Sequence, residues 1–101
     1  MQPVDLDRLA EQTGGDRRLE RDVLLLFIDD APTQIERLQA AGPDDRRAIA
    51  HRLLGSARAI GADDVARLAA RFETGDGDIP ALAAAVEVAR TFILAHLAAP
   101  E

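Results

Sequence analysis

The apolar residues of this chain recur mainly at steps of three and four positions, the spacing of one face of an α-helix. Glycine and proline interrupt that pattern at Gly14-Gly15, Gly42-Pro43, Gly61, Gly75-Asp76-Gly77 and Pro80. Such residues end helices or mark turns between them. The pattern therefore predicts five helices, over about 5–12, 16–41, 44–61, 63–74 and 80–98.

Each predicted helix carries an apolar stripe that we expect to face a common core. The stripes are Leu6 and Leu9; Leu19, Val23, Leu26, Phe27, Ile35 and Leu38; Ile49, Leu53 and Ile60; Val65, Leu68, Ala69 and Phe72; and Leu82, Val86, Ala89, Ile93 and Leu97. Asp16 suits an N-cap, and Pro32 predicts a bend rather than a break in the second helix. Short connections between amphipathic helices predict an all-α fold: an antiparallel four-helix bundle with a short N-terminal capping helix.

Length and charge limit the classes of function. The 101 residues suit a single domain over 1–101, with a core over about 5–97. A net charge of −6 argues against a nucleic-acid binder, because such a protein needs a basic face for phosphates. No uninterrupted apolar run approaches the ~18 residues of a membrane span, and the N-terminus lacks the basic and apolar regions of a signal peptide. We therefore expect a cytoplasmic protein that binds neither membrane nor nucleic acid.

Few side chains could carry catalytic or metal chemistry. The chain has no cysteine, which excludes disulfides, thiolate metal sites and cysteine nucleophiles. Its two histidines, His51 and His96, are too few for a multi-histidine zinc site. The adjacent aspartates at 29–30 and 63–64 are better explained by helix capping and solvation than by a metal. We therefore predict no cofactor and no metal site in the chain.

His51 stands out because of its position in the third helix. At 100° per residue it lies roughly opposite the stripe of Ile49, Leu53 and Ile60. Its side of the helix is shared by Asp44, Arg47, Gly55, Arg58 and Ala62. A neutral imidazole is nucleophilic, and attack on a phosphoryl group gives a phosphoramidate that a second acceptor can take. An outward imidazole in mid-helix is therefore a candidate phosphoryl acceptor.

The neighbours of His51 favour that interpretation. Gly55 costs the helix about 1 kcal/mol relative to alanine, which is best tolerated where another molecule approaches the backbone. Between Arg46 and Arg71 there are six arginines and two aspartates, although the whole chain is acidic. Guanidinium groups can neutralise a transferring phosphoryl group. His96 has no such surroundings, and we interpret it as a surface or packing residue.

The segment from residue 50 to residue 62, AHRLLGSARAIGA, resembles the signature of histidine phosphotransfer (Hpt) domains. The flanking segments Thr13–Asp16, Phe27–Pro32 and Leu68–Glu73 are similar too, so the resemblance covers about Asp5 to Leu97. It implies a four-helix bundle in which His51 takes a phosphoryl group from a receiver-domain aspartate and passes it to another receiver. The chain would then be a phosphoryl carrier rather than an enzyme, with the receiver supplying Mg²⁺. Its partners would be response-regulator receiver domains and a hybrid sensor kinase, and we expect a monomer.

One position departs from the family pattern. Hpt domains usually have a lysine three residues after the histidine, where this chain has Leu54. Arg58 or Arg47 could compensate, Leu54 could make an apolar contact with a receiver, or transfer could be slow or lost. The residues predicted to support the phosphoryl group or the docking of a partner are Arg47, Arg52, Leu54, Gly55 and Arg58. The alternative is a non-catalytic Hpt-like module that binds receiver or kinase domains; a metal-dependent or hydrolytic enzyme has little support.

Overall fold

The computed structural model describes residues 2–100, and within them the chain forms five α-helices and one 3₁₀ turn. The helices are α1 (Leu6–Gln12), α2 (Arg17–Ala40), α3 (Pro43–Ile60), α4 (Asp63–Ala70) and α5 (Ile79–Ala98), with the 3₁₀ turn at Arg71–Thr74 between the last two. The all-α class is confirmed. The helix predicted over 63–74 is shorter than expected, since its last turn tightens into the 3₁₀ turn.

Residues at the helix ends explain the boundaries. The side chains of Asp5, Asp16 and Asp78 accept hydrogen bonds from the amides of Arg8, Leu19 and Ala81, at 3.0, 3.1 and 3.0 Å. These contacts satisfy amides that have no partner inside the helix. Gly61 ends α3 with a φ of +73°, a left-handed conformation that costs glycine little. The prediction of Asp16 as an N-cap is confirmed.

The longer helices pack as a bundle around a common core. α2 and α4 each pack against both α3 and α5, and α1 contacts α2 and α3. Short connections make consecutive helices antiparallel. The Asp5 amide donates to the Gly61 carbonyl at 2.9 Å, and the Arg8 guanidinium donates to both carboxylate oxygens of Asp63 at 2.6 and 3.3 Å. These contacts hold α1 against the α3–α4 turn, so the predicted capping helix is confirmed.

The core differs from the prediction in α2. The buried apolar residues of this helix are Leu24, Phe27, Ile28, Ala31, Ile35 and Leu38. Leu19 and Leu26, which were predicted to face inward, are 45% and 67% exposed. The six apolar residues from Val23 to Ile28 occur in a row and therefore fix no helical phase by themselves. The helix continues through Pro32 to Ala40, so this proline does not divide α2 into two helices, as expected.

Among residues 2–100, one helix, α5, is long and apolar enough to cross a membrane when judged by length and composition alone. Its mean hydropathy is 1.5. Such a match is weak, because core helices of soluble domains pass the same test. Leu82, Val86, Ala89 and Ile93 are buried in the bundle. Glu87 and Arg90 interrupt the apolar sequence and form an ion pair at 3.1 Å.

Candidate functional site

The site is built on the outer face of α3. Ile49, Leu53 and Ile60 are buried at 9%, 1% and 1% exposure, which fixes the rotation of the helix about its axis. That rotation turns His51 outward, and its side chain is 73% exposed. The orientation of the imidazole is therefore as the helical phase predicts.

One ring nitrogen of His51 has a partner on another element. Nδ1 lies 3.1 Å from Oε1 of Glu73, in the 3₁₀ turn. An ionised carboxylate only accepts hydrogen bonds, so Nδ1 is the donor in this pair. In a neutral imidazole the other nitrogen, Nε2, then carries the lone pair. The contact thus leaves Nε2 as the basic and nucleophilic atom.

The 3₁₀ turn brings Glu73 to this position. Its neighbour Phe72 is buried at 9% exposure and anchors the turn to the core. Gly75 ends the turn with a φ of +81°, and Gly77 packs so closely on the Phe72 ring that a Cβ there would clash. Two glycines and a buried aromatic ring thus determine where the carboxylate points.

No role for Glu73 is predicted from the sequence. The residue lies 22 positions after His51 and belongs to a different element, so no helical spacing connects the two. The available signal was a carboxylate directly after a buried phenylalanine, at the end of a helix that packs on α3. That signal indicates that the Glu73 carboxylate lies close to α3, but it does not show which residue of α3 it contacts.

His51 borders a shallow depression of about 440 Å³. The depression is lined by Asp44, Arg47, Ala48, His51 and Glu73. It therefore contains the imidazole, two carboxylates and one guanidinium, all from α3 except Glu73. The space is open to solvent, so a group carried on Nε2 would be accessible to another protein.

The other predicted residues occupy different parts of the outer face. Gly55 is exposed, and a Cβ built on it would meet nothing within 4 Å. Arg52 lines a second depression of about 260 Å³ between α2 and α3, together with Leu26 and Ala59. Arg58 is exposed two turns after His51 and lines neither depression. The arginines thus do not form one cluster around the imidazole.

Two residues predicted for this surface lie in the core instead. Leu54 is 4% exposed, which argues against the alternative in which its side chain makes an apolar contact with a receiver. Its direction lies about 60° from that of His51, close enough to the apolar stripe for the side chain to be buried. Ala62, placed on the His51 side by helical phase, is fully buried because the helix ends before it, at Ile60.

The remaining polar residues behave as simple surface and helix residues. His96 is exposed in the last turn of α5. The Ser56 hydroxyl donates to the Arg52 carbonyl at 3.3 Å, the expected bond back to the preceding turn. Among the residues that the structure describes, no group of three or more histidine, aspartate and glutamate side chains could hold a metal ion.

A helical bundle with an outward imidazole in mid-helix is the architecture of a histidine phosphoryl carrier. The model of the Hpt domain family matches residues 22–99, well over half of the chain. The chain belongs to this family. Hpt domains carry phosphoryl groups in phosphorelays, so membership implies a phosphotransfer role in two-component signalling. No curated protein and no solved structure gives a significant match.

Proposed function

We propose that His51 accepts a phosphoryl group on Nε2 from the aspartyl phosphate of one receiver domain and passes it to the aspartate of another. The observation that supports this most is the pair of His51 Nδ1 and Glu73 at 3.1 Å on a ring that is 73% exposed. The contact orients the ring, and the exposure leaves Nε2 open to a partner. His51 is the phosphohistidine of this proposal.

The transfer is a balanced displacement at phosphorus. The Nε2 lone pair forms the N–P bond while the P–O bond to the receiver aspartate breaks, and that aspartate leaves as a carboxylate. The ring becomes positively charged and keeps its proton on Nδ1, where the Glu73 carboxylate stabilises it. The reverse displacement by a second aspartate restores the neutral imidazole.

The receiver is proposed to dock on the outer face of α3 and the adjoining surface of α2. Leu26 is an exposed apolar residue there, and Gly55 leaves the α3 backbone open to close approach. Phosphoryl transfer depends on positioning and charge neutralisation, so much of the chemistry falls to the receiver and its Mg²⁺. The chain itself then needs no cofactor and acts as a cytoplasmic monomer between a hybrid sensor kinase and its receivers.

Phosphotransfer from phosphorylated receivers of the host tests the proposal. The wild-type chain should acquire label that is labile in acid and stable in alkali, and His51→Gln should acquire none. His96→Gln is the matched control, since it removes the other histidine and should leave labelling unchanged. Label that persists in His51→Gln, or that disappears in His96→Gln, would contradict the proposal.

The second candidate function is a non-catalytic module that binds receivers or kinases. The observation that favours it is Leu54, a buried apolar side chain where the family usually has a lysine. In that case a receiver would bind wild type and His51→Gln with equal affinity, and no label would move to either. The same labelling assay, with binding measured in parallel, separates the two functions.

A further inference from the structure

Three exposed arginines follow the outer face of α3, and the structure gives each a different setting. Arg47 lines the depression that contains His51, whereas Arg52 lines the depression between α2 and α3. Arg58 lines neither of them. Sequence spacing alone did not separate Arg47 from Arg58, because both lie within about 40° of the direction of His51.

The Arg47 guanidinium is available for a ligand. Within residues 2–100 it takes part in no hydrogen bond or ion pair, although the carboxylates of Asp44 and Glu73 line the same depression. By contrast, Arg8, Arg67 and Arg90 are held by carboxylates. A guanidinium has five donors in a planar arrangement that matches phosphate oxygens.

We propose that Arg47 contacts the phosphoryl group on Nε2 of His51 and neutralises part of its charge. This inference rests on the proposed phosphorylation of His51. Residues four apart in a helix are neighbours, separated by about 6 Å along the axis, and the side chain of the later residue leans back over the earlier turn. His51 therefore leans toward the turn that carries Arg47.

Charge in the depression supports the same assignment. Asp44 and Glu73 are both negative, and a phosphoryl group would add up to two further negative charges. Among the residues that line the depression, Arg47 is the one cation. It therefore supplies the compensation that Leu54, with its buried apolar side chain, does not provide.

Arg58 is the matched control for Arg47. It is exposed on the same helix, has no hydrogen-bond or ion-pair partner for its guanidinium among residues 2–100, and loses the same charge on substitution. Its Cα lies about 10 Å from that of His51 along the axis, against about 6 Å for Arg47. Arg47→Gln and Arg58→Gln therefore lose the same charge and change helix propensity equally. They differ mainly in how far the substituted residue lies from His51.

The test uses the phosphohistidine made chemically, so that no receiver is required. Wild type, Arg47→Gln, Arg47→Lys and Arg58→Gln are phosphorylated with phosphoramidate, and the ³¹P resonance is titrated from alkaline pH down to the mildly acidic range in which the N–P bond still persists. A nearby cation favours the dianionic phosphoryl group over the monoanionic one. Arg47→Gln should therefore raise the midpoint pH of the ³¹P titration by about half a unit. The midpoint pH of Arg47→Lys should stay close to that of wild type, and the midpoint pH of Arg58→Gln should equal that of wild type within error.

Transfer rates give the second readout. Arg47→Gln should slow transfer from a phosphorylated receiver about tenfold, with receiver affinity changed less than twofold. Because Arg58 lies on the proposed docking face, any loss in Arg58→Gln should appear in receiver affinity and not in the ³¹P midpoint. An unchanged ³¹P midpoint in Arg47→Gln, or an equal shift in Arg58→Gln, would overturn the role of Arg47. If chemically formed phosphohistidine shows the Arg47 effect but no receiver exchanges phosphate with it, the relay proposal fails and the Arg47 contact stands. A wild type that takes no phosphoryl group at His51 from phosphoramidate overturns both.

Discussion

The inner and outer faces of α3 differ in what their residues do. The inner face contains Ile49, Leu53 and Ile60, which are buried against the other helices. The outer face contains an exposed imidazole, a glycine with open space above it, and arginines that have no ion-pair partner among residues 2–100. The inner face thus fixes the orientation of the helix, and the outer face uses that orientation to present Nε2. Stability and phosphotransfer should therefore respond to different substitutions on the same helix.

The largest effect on stability is expected on the inner face. Leu53 is 1% exposed, so Leu53→Ala should lower the free energy of unfolding by about 2–5 kcal/mol, through lost burial and a residual cavity. Urea denaturation measures this value. Arg52→Ala, one residue away on the exposed side, should change it by no more than about 0.5 kcal/mol. A comparable loss in both variants would mean that the two faces are not distinct.

The next effect concerns docking on the outer face. Gly55→Arg should weaken receiver binding tenfold or more, because a bulky side chain would occupy the space through which a partner approaches the helix. Helicity, measured by circular dichroism, should not fall. Gly55→Ala is the control: its Cβ meets nothing within 4 Å, and it should stabilise the helix by about 0.5–1 kcal/mol. Unchanged receiver affinity in Gly55→Arg would show that the docking surface lies elsewhere.

A smaller effect is expected from the contact that orients His51. Glu73→Ala removes the acceptor for Nδ1–H and should slow phosphorylation of His51 roughly 3- to 10-fold. This factor corresponds to the net free energy of one hydrogen bond. Glu73→Gln keeps an acceptor oxygen without the charge, so its rate should lie between those of wild type and Glu73→Ala. Single-turnover transfer kinetics measure the difference. Equal rates in all three proteins would remove Glu73 from the site.

The fold and the orientation of His51 could be predicted from the sequence because local residues determine them. The N-cap Asp16 and the breaks at Gly42-Pro43 and Gly61 mark helix ends by their own backbone chemistry. The charged and polar residues Arg47, His51 and Arg58 share the side of α3 opposite Ile49, Leu53 and Ile60, which gives this helix a defined apolar phase. In α2 the uninterrupted run from Val23 to Ile28 provides no such phase, which is why Leu26 was assigned to the core.

The parts of the site that the sequence did not reveal depend on packing between elements. Glu73 reaches His51 only because the 3₁₀ turn packs on α3. Leu54 is buried at 4% exposure on a helix that packs against α1, α2, α4 and that turn. Helical phase places a residue around one axis, but it does not show which edges of a helix its neighbours cover. The distinction between Arg47 and Arg58 likewise required the shape of the surface.

The central claim is that Glu73 holds Nδ1 and leaves Nε2 of His51 to carry the phosphoryl group. The most direct measurement is the site of phosphorylation, determined by ¹⁵N and ³¹P NMR of the imidazole after incubation with a phosphorylated receiver at neutral pH. We predict a single phosphoramidate, with phosphorus coupled to Nε2 of His51. Phosphorus on Nδ1 of His51, or on His96, would contradict the account.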